Sequence, residues 1–188
     1  MKPLYLASIS PRRKTLLKSF GLRFRSLKPR YREVNNFSLS PSKIVQAHAW
    51  AKALSVKGII ARGTVLAADT IVYFGGRVIG KPKNLREAVK ILNRLQGRWH
   101  SVYTGVALAE FRAGRLIRKK VFFEKTKVLL RPLTRGEISA YFRRVDPLDK
   151  AGAYAIQARR GSVVEEIKGS FSNAVGLPVE KLYGKLKP

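Results

Sequence analysis

The stretch SISPRR at residues 8–13 sets two serines and two arginines around a proline. Serine hydroxyls donate to phosphate oxygens, and a guanidinium offers a planar two-pronged donor matched to them. Pro11 suits the first position of a helix, where its missing N–H costs nothing, and Ser10 suits the cap before it. A helix N-terminus presents unpaired N–H groups and a partial positive charge. Ser8, Arg12 and Arg13 are therefore either a phosphate cradle or a capped helix start with two exposed arginines. The glycines and the GK[ST] of a Walker loop are absent.

The acidic residues narrow the chemistry further. Between Met1 and Arg86 there are only two, Glu33 and Asp69. Asp69 interrupts the apolar run VLAADTIVYF; strands disfavour Asp, and a buried carboxylate needs partners. It reads as a metal ligand or a general base, with a structural Asp bonded to a turn as the alternative. Lys81, in GKP, follows closely and either reaches phosphate oxygens or is a surface lysine. Lys52, in AWAKA, has small and apolar neighbours, which argues against a merely solvated charge, although a snorkelling stem gives the same pattern. His48 and His100 are far apart, lack metal-ligand spacing, and read as structural. Ser8 and Ser10 have no G-x-S-x-G context, which argues against a nucleophilic serine. Along the chain, Tyr and Phe form no stacking stripe among the basic residues, and no RNP-like sequence occurs.

Composition sets the outer bounds. The chain has 188 residues, 45% of them apolar, enough for the core of one domain spanning 1–188 with two lobes around a cleft. Lys and Arg number 39 against 11 Asp and Glu, a formal net charge of +28. That excess is either a solvated basic surface or the mark of an anionic partner such as nucleic acid, a nucleotide or membrane phosphate. With no cysteine, disulfides and thiolate chemistry are excluded, and a reducing compartment is compatible. No apolar run nears the roughly 18 residues of a membrane span. The short apolar start runs straight into PRRK, unlike a signal peptide, so the expected location is the cytoplasm.

These residues must be held by regular elements. Residues 4–8 read as a strand, followed by a helix from Pro11 that stops at Gly21. Residues 23–36 read as an extended loop. Ser40 and Pro41 open a second helix with Ile44, Ala47 and Ala51 on one face. TVLAADTIVYF is a long strand, Gly75-Gly76 a two-residue hairpin turn, and RVIGKP the return. Asn84 caps a third helix whose apolar face is Ala88, Ile91, Leu92 and Leu95. HSVYTGVALAEF and KKVFFEKTKVLL pair through Ala113-Gly114. Thr134 and Glu137 make a full capping box, residues 146–178 are mostly loop and short strand, and a last helix starts near Pro178. Hairpin-joined strands exclude a purely parallel sheet. The expected class is α/β: a mixed twisted sheet with flanking helices and a central cleft.

In order along the chain stand LASISPRRKTLL, AWAKA, AADTIV, GKP, LQGRWHSVYTGV, DKAGAYAIQ and GSFSNAVGLP. Together, from Leu6 to Leu182, they closely resemble the Maf family of nucleoside triphosphate pyrophosphatases. The resemblance implies an inosine-triphosphatase-like α/β fold with a deep cleft. It also implies hydrolysis of a nucleoside triphosphate to the monophosphate and pyrophosphate with a divalent metal, Mg²⁺ or else Mn²⁺, and a homodimer. Carried over by motif, Ser8, Arg12 and Arg13 hold the phosphates. Glu33, Lys52, Asp69 and Lys81 form the catalytic heart, with Glu33 and Asp69 on the metal.

Within the family, Arg12, Thr70 and Gln157 match the branch similar to dTTP/UTP pyrophosphatases. A Gln amide has both a donor and an acceptor for a uracil or thymine edge. The glycine of the family's IQG comes only at Gly161 here, in IQARRG. Two alternatives stand beside this reading: a different base preference such as 7-methyl-GTP, and a basic nucleic-acid-binding protein on the same fold. A third joins the pyrophosphatase with the binder, an active enzyme whose outer surface also holds nucleic acid weakly.

Overall fold

A computed structural model describes residues 2–32, 39–157 and 163–186. The β-branched run becomes β3 (Gly63–Phe74). The two runs flanking Ala113-Gly114 become β5 (Trp99–Arg112) and β6 (Arg115–Leu130), and these three strands pair antiparallel. Around this spine lie β1 (Leu4–Ala7), β2 (Arg25–Leu27), β4 (Arg77–Ile79) and β7 (Val164–Lys168). Among the described residues the result is one seven-stranded mixed sheet, ordered β2-β1-β3-β5-β6-β7, with β4 also on β3. β1 runs parallel to both β2 and β3. At the β3–β4 turn Gly75 and Gly76 take φ of 56° and 74°, the left-handed pair that a tight hairpin requires.

Helices cover the sheet: α1 (Pro11–Ser19), α2 (Pro41–Leu54), α3 (Leu85–Leu95), α4 (Arg135–Phe142), α5 (Phe171–Val175) and α6 (Val179–Leu186). Leu92 and Leu95 of α3 pack with Val102, Val128 and Leu130 in one buried cluster. Leu17, Leu66, Val106 and Leu182 form a second, and the alanines of α2 meet Ala67, Ala107 and Phe111 in a third. Apolar burial of this kind contributes roughly 25 cal/mol per Å² and holds the frame on which the polar residues hang. Among the described residues no helix is long and apolar enough to cross a membrane.

Two relationships position the site. β1 pairs with β3 only at Thr64–Leu66, and β4 only at Val72–Phe74. Between them, on that edge, Ala67–Ile71 faces no described strand. The second relationship is the descent of α2 onto the sheet. Gly105 stands opposite Asp69 in the β3–β5 register. A Cβ on Gly105 would lie 2.2 Å from the Val45 carbonyl oxygen, so only the missing side chain lets α2 sit this low.

The structure corrects several expectations. Residues 25–27, expected as loop, form the edge strand β2; a three-residue R-S-L strand has no alternation to read. The inward face of α2 is Ile44, Val45, His48, Ala49 and Ala53, while Ala47 is exposed. An apolar count over the helix misses this face because it carries His48 and Lys52, drawn inward by Asp69. α5 forms within a stretch expected as loop, capped by Ser170, whose hydroxyl accepts from the Asn173 N–H. Ser10 and Ser40 occupy N-cap positions without a side-chain capping bond, whereas the Thr134–Glu137 box is complete.

Candidate active site

The gap in the β3 edge opens into a cleft of about 520 Å³. Asp69 lies at its foot, 4% exposed, in the middle of the strand with α2 above it. Lys52 and His48 are one helical turn apart and therefore share a face of α2. The Lys52 ammonium donates to Asp69 Oδ1 at 2.6 Å, and His48 Nδ1 lies 3.2 Å from Oδ2. Tyr31 packs its ring 5.9 Å from the His48 ring, at 59°.

Electrostatics decide the state of this carboxyl. Burial alone would raise its pKa. The His48 hydrogen bond, the charge and hydrogen bond of Lys52 and the more distant charge of Arg13 overcome that and hold it well below the usual carboxylate range. Asp69 is a fixed anion at neutral pH, set in a wall of cations.

The SISPRR stretch leaves the end of β1 and turns across the cleft. Ser8 is buried, and its Oγ accepts from the Ser10 N–H at 3.2 Å and from Arg13 Nη1 at 3.4 Å. The Arg13 guanidinium is committed to the frame: Nε donates to the Gly176 carbonyl at 2.9 Å and Nη2 to Thr70 Oγ1 at 3.0 Å. Thr70 in turn lies 3.0 Å from Thr104 Oγ1, which donates to the Asn173 carbonyl. Arg13 thus ties the first turn of α1 to β3 and to the end of α5. Arg12 reaches the opposite wall, where Nη2 donates to the Asp149 carbonyl at 3.2 Å.

Lys81 is exposed on the cleft rim, just past β4. Its neighbour Gly80 accepts from the Gly152 N–H, which fixes the rim to the turn at residues 151–153. Gln157 lies on the same wall, at the border of the described residues. The cleft therefore gathers Ser8, Arg12, Arg13, Lys52, Asp69, Thr70, Lys81 and Gln157. Glu33 lies outside the described residues, as does the ARRGS segment after Gln157.

Gly105, Asp149 and Tyr154 also belong to this picture, as does His48, which from sequence alone reads as structural. His48 had a signal in its spacing, four residues before Lys52 on a helix. Gly105 had one too, as a glycine inside a β-branched strand. Asp149 and Tyr154 also line the cleft, and both stand in the DKAGAYAIQ stretch.

A family model described as Maf-like protein matches residues 3–188. The chain belongs to the Maf family. Relatives of this Maf chain match it end to end. A dTTP/UTP pyrophosphatase of Carboxydothermus hydrogenoformans is 44% identical over 98% of this chain and 97% of its own length. One of Pelotomaculum thermopropionicum is 41% identical, over 100% and 96% respectively. Among solved structures, the Staphylococcus aureus Ham1 protein aligns over 69% of this chain and 72% of its own, at 17% identity and a TM-score of 0.45.

Proposed function

We propose that this Maf-family chain hydrolyses dTTP and UTP to the monophosphate and pyrophosphate. The reading is supported by full-length relatives that carry that name. The observation that carries it is the Asp69–Lys52 pair: an ionised, buried carboxylate with an ammonium 2.6 Å away, at the foot of a cation-walled cleft. A pure phosphate binder gains nothing from an anion there.

The donor set suits a hard divalent cation. Asp69 is ionised, and Mg²⁺ typically takes one or two carboxylates together with substrate phosphate oxygens and water. Asp69 would hold it, with Glu33 as the proposed second carboxylate. Mg²⁺ or Mn²⁺, when bound, supplies a Lewis acid that offsets triphosphate charge.

The chain's own residues do the rest in this proposal. Asp69 accepts a hydrogen bond from the attacking water and orients it towards the α-phosphorus. Lys52 and Lys81 donate to phosphate oxygens where charge grows on the leaving pyrophosphate, and Arg12 adds its guanidinium from the rim. Ser8 and Arg13 hold the SISPRR turn in place and offer remaining donors to the phosphates. Thr70 and Gln157 set the base preference, the Gln157 amide pairing with a pyrimidine edge. We take residues 1–188 as one domain, acting as a homodimer in the cytoplasm.

The test is pyrophosphate release across a panel of normal and modified triphosphates, with and without Mg²⁺, for the wild type and Asp69→Asn. The proposal expects dTTP and UTP to lead the panel and the folded Asp69→Asn protein to lose at least 100-fold in kcat. Normal turnover by folded Asp69→Asn protein overturns the assignment. A preference for 7-methyl-GTP overturns the substrate.

A further inference from the structure

Beside the first turns of α2, where Tyr103 packs against the Ile44–Val45–Ile71 cluster, the same face of the sheet continues out to solvent among the described residues. Side chains alternate along strands, so the register gives its membership: Tyr73 of β3, Trp99, Ser101 and Tyr103 of β5, and Phe123, Lys125 and Lys127 of β6 share one face. Lys168 of β7 pairs beside Lys127 on that face. Phe123 is 38% exposed, the tyrosines and Trp99 are half-buried, and the three lysines are exposed. The rings form a row: Tyr73 to Tyr103 at 6.2 Å edge-on, and Tyr103 to Phe123 at 6.3 Å and tilted 32°. Lysines lie over them, Lys125 Nζ 5.5 Å from the Tyr103 ring and Lys168 Nζ 4.6 Å from the Trp99 ring.

The stacking stripe that the linear sequence lacks is thus assembled across strands. An ordinary solvent face carries mixed charges and hydroxyls. This one carries rings and lysines, with Asp69 farther along the same face of β3 beneath α2 and Glu166 at the other margin, paired to Lys168 at 3.4 Å. Rings offer π-faces to unpaired bases, and flexible lysines can leave those faces for phosphates. A duplex hides its base faces and could use only the charge. A second copy of this chain would bring lysines against lysines on a molecule already at +28.

We propose that this face of β3, β5, β6 and β7 binds single-stranded nucleic acid, with bases on Tyr103, Phe123 and Trp99 and phosphates on Lys125, Lys127 and Lys168. Its residues are not among those proposed for catalysis, although Asp69 lies on the same face in the row of Gly105 and Phe123, and the proposal does not depend on the substrate reading.

The experiment is fluorescence anisotropy with a labelled single strand of about 12 nucleotides and with its duplex, over a salt series. Wild type is compared with Lys125→Ala/Lys127→Ala and with Phe123→Ala, their folding checked by thermal melting. For the single strand, the double variant should reduce the slope of log K against log salt by about 1.4, two contacts at roughly 0.7 each. Phe123→Ala should weaken single-strand binding about fivefold or more with the slope unchanged. Pyrophosphate release should be the same in all three. Equal affinity for single strand and duplex, or wild-type binding by the folded variants, overturns the proposal. So does a dimer in sedimentation that the double variant dissociates, which would make the face a contact between copies.

Discussion

The carbonyl of Val45 occupies the space where Gly105 would carry its side chain, so α2 and β5 touch backbone to backbone beside Asp69. The clash of an added methyl is with main-chain atoms, at 2.2 Å for the oxygen, 2.3 Å for the Val45 carbonyl carbon and 2.7 Å for the Gln46 nitrogen. No rotamer change relieves it; the helix must lift. Gly105→Ala should therefore cost about 1–3 kcal/mol or more in urea unfolding. It should also cost turnover beyond any loss of folded protein, because lifting α2 draws His48 and Lys52 off Asp69. Activity measured per folded molecule separates the two effects. An alanine variant with unchanged turnover would show that the height of α2 does not matter to the chemistry.

Much of this arrangement was legible beforehand, and what was missed follows a pattern. Signals local in sequence came through: Pro11 at the helix start, the Gly75-Gly76 hairpin, the Thr134–Glu137 box. So did the contrast of Asp69 with its apolar neighbours, since an isolated carboxylate in such a strand demands partners. The partners themselves were harder. His48 has no metal-ligand spacing, and its link to Asp69 crosses 21 residues of chain and depends on how low α2 sits. The Arg13 contacts to Gly176 and Thr70 span still greater separations. Cross-strand register likewise assembles the ring-and-lysine face, which no window along one strand reveals.

His48 offers a test of what its contact does. Its Nδ1 lies 3.2 Å from the Asp69 oxygen that Lys52 does not hold, so it fixes the plane of the carboxylate. His48→Leu keeps the bulk and removes the bond; hydrogen bonds to charged groups contribute about 1.5–3 kcal/mol. We expect kcat to fall about tenfold or more with KM nearly unchanged. His48→Asn, whose amide can reach the same oxygen, should restore most of the rate. A purely structural role predicts that Asn does no better than Leu.

Arg12 and Arg13 adjoin in sequence yet should respond differently to truncation. Arg13 spans three elements through Ser8, Thr70 and Gly176, while Arg12 is half-exposed with a carbonyl contact at 3.2 Å. Arg13→Ala should lower unfolding stability by about 2–4 kcal/mol and activity with it. Arg12→Ala should stay within about 1 kcal/mol of wild type in stability while raising KM for the triphosphate. Equal destabilisation by the two changes would mean that the Arg13 contacts do not hold the turn.

Stability should depend on pH in two separate windows. Burial pushes the imidazolium of His100 down to about 4 from an ordinary value of 6.5, and its Nε2 lies 2.6 Å from the Tyr154 hydroxyl in the core. The unfolded chain binds that proton first, so the stabilisation is complete above about pH 6.5 and is lost as pH falls towards 4. The full loss is on the order of 3 kcal/mol. Asp69 is also depressed, but from 3.8, so its contribution persists through that window and fades only below it. Urea unfolding of metal-free protein from pH 8 to pH 3 should show the first decline in wild type. It should be largely absent in His100→Gln, which keeps a donor near Tyr154 without a titrating ring. Asp69→Asn should keep the His100 decline and reduce the further fall below pH 4. If His100→Gln retains the wild-type slope between pH 6.5 and 4, another group carries that proton, and the burial of His100 has no consequence for acid stability.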